Sequence, residues 1–117
     1  MSKNKKIGDI GEELSVKFLI EHGYQIIEKN WTVGHKEIDI IAKENDIYIF
    51  VEVKTRTSSK MGMPEESISE RKIQSVTEAA RIYLYEKQYK DIRFDVISIL
   101  LKKENPPELL HIKDAFY

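Results

Sequence analysis

The chain contains no cysteine. Disulfide scaffolding, thiol catalysis and zinc held by thiolates are therefore excluded, and a cytoplasmic location is expected. Proline and glycine are sparse, three and five among 117 residues, so a low-complexity or collagen-like chain is excluded too. No apolar run approaches the ~20 residues that cross a bilayer. Met1-Ser-Lys-Asn-Lys-Lys precedes no apolar signal core, so no membrane partner is expected. The net charge of −1 lacks the basic excess of a passive nucleic-acid coat. That balance is uneven, however. Lys3, Lys5 and Lys6 form a basic N-terminal arm over residues 1–6, and Lys54, Arg56 and Lys60 follow one another with no acid between them.

What is present fits one soluble domain over residues 1–117: apolar residues make up 41% and charged residues 33%, with no repeat or linker to divide them. Ile7, Ile10, Leu14 and Phe18 recur at helical spacing, which predicts a helix over about 7–22 closed by His22-Gly23. Strands are expected over 24–33, 36–43 and 47–56, followed by a Ser/Lys/Gly-rich loop over 57–64. A second helix, capped by Ser67 or Ser69, reaches about Tyr89 with Ile73, Val76, Ala80 and Leu84 on one face. A strand over 91–101 and an edge strand over 109–112 complete the order α-β-β-β-α-β-β. That order predicts an α/β fold, a mixed central sheet flanked by helices.

The two central strands carry acids where strands ordinarily carry apolar side chains. A two-residue turn at Asn45-Asp46 sets Asp39 opposite Glu52, Glu37 opposite Lys54, and Ile41 opposite Phe50. The other face then pairs Ile38 with Val53, Ile40 with Val51 and Ala42 with Ile49, and is wholly apolar. Like charges directly opposed destabilise a sheet. At ~5 Å and an effective dielectric near 20, two carboxylates repel by roughly 3 kcal/mol. A bound Mg²⁺ or Mn²⁺ turns that repulsion into attraction, and hard oxygen donors suit those ions.

Lys54 lies two residues beyond Glu52, on its side of the pleat. It serves either as the ion-pair partner of Glu37 or, oriented by Glu37, as a cation for a phosphate or an attacking water. The first helix offers a further acid. Glu12 falls within the apolar and small arc of the helical wheel, whereas Glu13 falls on the narrow polar arc with Lys17 and Glu21. A carboxylate on a packing face usually has a specific partner, so Glu12 is the candidate and Glu13 surface. Gly8 and Gly11 are expected to let that helix approach the sheet. Arg71 and Lys72 either meet a phosphate backbone or form a solvated helix end. His22, His35 and His111 show no ligand spacing, Asp95 reads as structural, and Trp31, Tyr83, Tyr85 and Tyr89 read mainly as core or interface.

Gly11-Glu12, Glu37-Ile38-Asp39-Ile40-Ile41-Ala42 and Phe50-Val51-Glu52-Val53-Lys54-Thr55-Arg56 resemble the YraN-like bacterial protein family, as do Arg71-Lys72 and Arg93-Phe94-Asp95-Val96. That uncharacterised family is grouped with the PD-(D/E)XK nuclease superfamily, near the archaeal Holliday-junction resolvases. The resemblance runs from about Ile7 to Ile99, with Lys36 where the family usually has glycine and Ser15 where alanine is common. It implies a restriction-endonuclease-like core, with Asp39 and Glu52 as metal ligands, the Val53 carbonyl as a third, Lys54 as catalytic lysine and Glu12 as the helix acid. The expected activity is Mg²⁺- or Mn²⁺-dependent hydrolysis of DNA phosphodiesters, in branched or otherwise structured DNA. Arg56, Lys60, Arg71 and Lys72 are candidate nucleic-acid contacts, and a homodimer is a candidate assembly. The alternative is a non-catalytic module that keeps the fold and binds nucleic acid or protein.

Overall fold

The structure, a computed structural model, describes residues 3–57 and 68–116, with side chains from Lys6 onward. Lys60 and Ser67 lie outside the described residues. The order is α1 (Lys3–Glu21), β1 (Gln25–Val33), β2 (Lys36–Glu44), β3 (Ile47–Arg56), α2 (Glu70–Leu84), β4 (Asp91–Leu100) and β5 (Glu108–Ile112). The expected mixed α/β order is observed. The strands form one five-stranded sheet in the order β1-β2-β3-β4-β5. Neighbours are antiparallel except β3 and β4, which run parallel because α2 makes the crossover between them.

Each face of the sheet carries a helix. On one, Leu19 of α1 packs with Ile40, Ala42, Ile49, Val51, Ile97 and Ile99. On the other, Val76, Ala79, Ala80 and Tyr83 of α2 pack with Ile41, Phe50 and Phe94. Strand β3 is covered on both sides, so Ile47-Tyr48-Ile49-Phe50-Val51 reads as a continuous apolar run rather than an alternation.

Several boundaries differ from expectation. Helix α1 begins at Lys3, so residues 3–6, expected as a basic arm, continue the helix. It closes at Gly23 (φ 90°), where Tyr24 N donates to Leu19 O and Gly23 N to Ile20 O, the paired bonds of a Schellman cap. Helix α2 starts at Ser69, whose hydroxyl accepts from Lys72 N at 3.2 Å. It stops at Leu84, short of Tyr89, because the apolar face ends there. Tyr85 turns extended, Glu86 adopts φ 70°, and Tyr85 to Lys90 are exposed.

Gly11 and Gly8 prove unequal. A Cβ at Gly11 would overlap Thr55 Oγ1 and lie 2.9 Å from Thr55 Cβ, whereas a Cβ at Gly8 meets nothing within 4 Å. Only Gly11 therefore marks the close approach of α1 to β3, and the expectation for Gly8 is overturned. Gly11→Ala is expected to destabilise by ~1–3 kcal/mol through overpacking. Gly8→Ala is expected to stabilise by up to ~1 kcal/mol through helix propensity. Urea unfolding of the two variants checks this, and equal effects would remove Gly11 as the contact point.

The β2/β3 hairpin has the expected register, with Ile40, Ile41, Ala42, Lys43 and Glu44 opposite Val51, Phe50, Ile49, Tyr48 and Ile47. The turn is Asn45-Asp46, with Asn45 at φ 56°. The pairing then stops. Strand β2 continues with β1 as far as Lys36, and β3 continues with β4 as far as Arg56. The sheet thus forks beyond Ile40 and Val51, and the expected ladder pairs Asp39–Glu52, Ile38–Val53 and Glu37–Lys54 are not formed. Ile38 also changes face: it packs with Phe50 and α2, while Ile40 stays on the α1 side. Alternation breaks at Asp39, between the Trp31–Ile38 and Lys29–Ile40 pairs with β1, and Asn30 between the same two pairs adopts φ 51°.

Candidate active site at the sheet fork

Where the ladder ends, side chains take over its hydrogen bonds. Val53 N donates to Asp39 Oδ2 at 2.9 Å, and Asp39 N faces Glu52 Oε2 at 3.4 Å. The two acids are thereby crossed over the fork, each carboxylate reaching the other strand's backbone. Glu52 is 1% exposed. A buried carboxylate beside another favours the protonated form. Burial, then the charge of Asp39, pushes the Glu52 carboxyl up to about 8, against the pull of Lys72 and the Asp39 N–H. Burial also raises Asp39, opposed by the Val53 N–H and Lys72 and reinforced by Glu37.

Glu12 enters the same cluster from α1, as its place on the helical wheel predicts, while Glu13 is exposed. Its carboxyl is raised by partial burial and then by Asp39, with Glu37 and Asp9 adding to the effect and a hydrogen bond from Asn30 opposing it. Asn30 is a positioning residue that the sequence reading missed. Its left-handed backbone, which asparagine tolerates better than most residues, lies between the Lys29–Ile40 and Trp31–Ile38 pairs, and its side chain favours the charged form of Glu12.

The lysines exchange their expected places. Among the described residues Lys54 makes no ion pair, and the fork separates it from the Glu37 expected to orient it. Glu37 instead acts on the Asp39 carboxyl, which its proximity helps to raise. It is Lys72 that reaches the acids, with Nζ 3.3 Å from Glu52 Oε1. Burial depresses the Lys72 ammonium, but Glu52 and Asp39, with Glu37 behind them, outweigh this and hold it above the usual lysine range. Lys72 is thus neither a solvated helix end nor, in this structure, a residue facing away from the acids. Arg71 beside it is exposed. Arg56 is half-buried at the end of β3, and its carbonyl accepts from Leu101 N at 2.8 Å.

The remaining candidates lie elsewhere. Trp31 and Tyr83 meet edge to face at 5.2 Å in the α2-side core, whereas Tyr85 is 78% exposed. His35 and His22 are exposed. Asp95 is structural: its buried carboxylate accepts from Arg93 Nε at 2.8 Å and from Asp114 N at 3.0 Å, and lies 2.7 Å from His111 Nε2. Burial would raise Asp95, but those partners hold it below the usual carboxylate range. The cluster ties β5 and the chain beyond it to β4.

The acids at the fork are hard-oxygen donors of the class that divalent cations take. Their charges repel, and a cation, the Lys72 ammonium, already stands among them. Among the described residues no three acid or imidazole side chains converge closely enough to enclose an ion unaided. The fit is therefore to an ion such as Mg²⁺, which takes one or two carboxylates and draws its other oxygens from water or substrate.

Comparison with known proteins bears on the same residues. The pattern of the family described as "Uncharacterised protein family UPF0102" matches residues 11–99, which takes in Glu12, the fork and Lys72. The chain belongs to the UPF0102 family. A UPF0102 protein of Dictyoglomus turgidum is 49% identical over 100 residues, covering 84% of this chain and 85% of its own. One from Flavobacterium psychrophilum is 41% identical over 118 residues, covering 100% and 98%. A Clostridium perfringens UPF0102 protein is 46% identical over 116 residues, covering 97% and 95%. The YraN-like resemblance read from the motifs is thereby shown at the level of the UPF0102 family. Among the described residues no helix is long and apolar enough to cross a membrane.

Proposed function

We propose that the fork is the active site of a metal-dependent nuclease with a restriction-endonuclease-like core, cleaving DNA phosphodiesters in branched or structured substrates. The observation that carries this reading is the crossed pair of half-buried Asp39 and buried Glu52, with the Lys72 ammonium beside Glu52. Two acids in that arrangement weaken the fold unless they serve a ligand.

Asp39 and Glu52 would hold Mg²⁺ or Mn²⁺, with the Val53 carbonyl as a further oxygen. Such an ion, when bound, supplies Lewis acidity at the phosphate and a more acidic water. Lys54, on the same side of β3 as Glu52, brings positive charge to phosphate oxygens on which negative charge builds. Glu12, its carboxyl raised by partial burial and by Asp39, would be a further acid beside the metal ligands. Glu37, a further acid close to Asp39, would add negative charge beside the ion. Arg71, exposed on the first turn of α2, and Arg56 at the end of β3 would meet the nucleic-acid backbone.

Lys72 also supports a second reading. A site whose acids are already paired with an internal ammonium can stand without metal, as a non-catalytic binding module would require. The discriminating experiment incubates the purified protein with duplex, flap, single-stranded and four-way DNA, in Mg²⁺, Mn²⁺ or EDTA. Cleavage of at least one substrate is expected with metal and none in EDTA. Equal cleavage in EDTA would defeat the mechanism, and protein that binds these substrates without cutting any supports the module. Sedimentation in the same buffers tests the homodimer expected for two-strand cleavage.

A further inference from the structure

We propose that Lys72 is an exchangeable counter-ion that occupies the cation position in the metal-free protein and must leave when a divalent ion enters. The inference rests on the reading of Asp39 and Glu52 as metal ligands.

The division of oxygens points to exchange rather than addition. Glu52 Oε2 faces Asp39 N, and Asp39 Oδ2 accepts from Val53 N, so each carboxylate has one oxygen committed to the backbone. The uncommitted oxygen of Glu52, Oε1, is the one Lys72 takes. An ion coordinating at ~2.1 Å has to approach that same oxygen, and a cation already beside it blocks the approach by charge and by volume.

Departure is mechanically simple. The Lys72 side chain is 41% exposed, so a route to water already exists. Its backbone N–H, not its side chain, is engaged by the Ser69 cap, so a rotamer change frees the ammonium while α2 stays in place. The released charge stays on the first turn of α2, next to Arg71, where it can meet a phosphate. Lys72 is then a positioning residue with two states: a guard on the carboxylates without metal, and an anion-facing side chain with it.

Calorimetric titration with Mn²⁺ of the wild type, Lys72→Met, Lys72→Gln and Asp39→Asn tests the exchange. Removing the competitor is expected to tighten Mn²⁺ binding about tenfold in both Lys72 variants, since the binding-competent state no longer has to be freed. Lys72→Met should also melt lower than wild type in EDTA, with Mn²⁺ closing the gap. Binding in the wild type that is unchanged or weaker in the Lys72 variants overturns the exchange and leaves the metal site standing. No binding heat in any protein, or equal heat in Asp39→Asn, overturns the metal reading and this inference together. Should both variants fail to fold, the wild type decides alone. The acetylation rate of Lys72, read by mass spectrometry, should rise about threefold with saturating Mg²⁺, and an unchanged rate overturns the exchange.

Discussion

Asp39→Asn is expected to lower metal-dependent DNA cleavage by ~10³-fold or more, and to abolish Mn²⁺ binding, while the protein stays folded. The substitution keeps the shape of the side chain. Its amide oxygen can still accept from Val53 N, which Asp39 Oδ2 does at 2.9 Å, so the fork retains that bond. What disappears is the charge. A divalent ion facing one carboxylate in place of two loses an anionic ligand in a water-poor site, where each charge matters more than it does at a surface. A loss of ~10³-fold corresponds to ~4 kcal/mol of transition-state stabilisation, within the range for removing one electrostatic contributor. Glu13→Gln is the matched control, since Glu13 is exposed next to Glu12 and, among the described residues, makes no ion pair with the fork. It should cleave like wild type. Cleavage by Asp39→Asn within tenfold of wild type would remove the fork from the mechanism, whatever the fold.

How much of this was legible in the residues divides along one physical line. The local signals held. Periodicity gave both helices, the Asn45-Asp46 turn fixed the hairpin register, and the wheel separated Glu12 from Glu13. What register arithmetic could not give was where pairing ends. It assumes that two strands stay together, whereas β2 follows β1 and β3 follows β4 past Ile40 and Val51. From that one assumption came the pairing of Glu37 with Lys54 and the placing of Ile38 on the wrong face. A trace of the break does exist in the chain, since asparagine at position 30 tolerates the left-handed backbone that the break requires.

The contact of Lys72 with Glu52 was not legible for a different reason. Val76, Ala79, Ala80, Tyr83 and Leu84 are the buried residues of α2, and they lie four, seven, eight, eleven and twelve positions beyond Lys72. Lys72 therefore heads the buried stripe. The wheel test that chose Glu12 over Glu13 chooses Lys72 over Arg71 just as firmly. Arg71 and Lys72 share the start of the helix, but only Lys72 reaches the acids.

Metal-free protein is expected to lose stability as pH rises from about 5 to 8.5, and Glu52→Gln is expected to abolish most of that loss. In the unfolded chain Glu52 ionises near pH 4.5, whereas in the folded protein burial and Asp39 hold its proton until about pH 8. Between those values the folded state binds more protons than the unfolded one, so stability falls with rising pH. The contribution is fully present below about 4.5 and is lost as pH passes through 8. Asp39, also raised, acts in the same direction. Asp95 is lowered, so its own contribution is lost only in acid, below the usual aspartate range, and cannot mask the effect. Linkage puts the size on the order of 3–5 kcal/mol, or roughly 10 °C or more in Tm for a chain of this length. Thermal melts in EDTA at pH 5.5, 7 and 8.5 measure it. Glu52→Gln should match wild type at the acid end and exceed it at pH 8.5. Saturating Mg²⁺ should raise the wild type there by ~3 kcal/mol at a hundredfold excess over Kd, and leave the variant where it was. A flat wild-type profile would mean that Glu52 carries no strain at the fork. A slope that Glu52→Gln removes and Mg²⁺ offsets would mean that the fold holds two carboxylates together at the expense of its own stability, which is the arrangement a cation-dependent site requires.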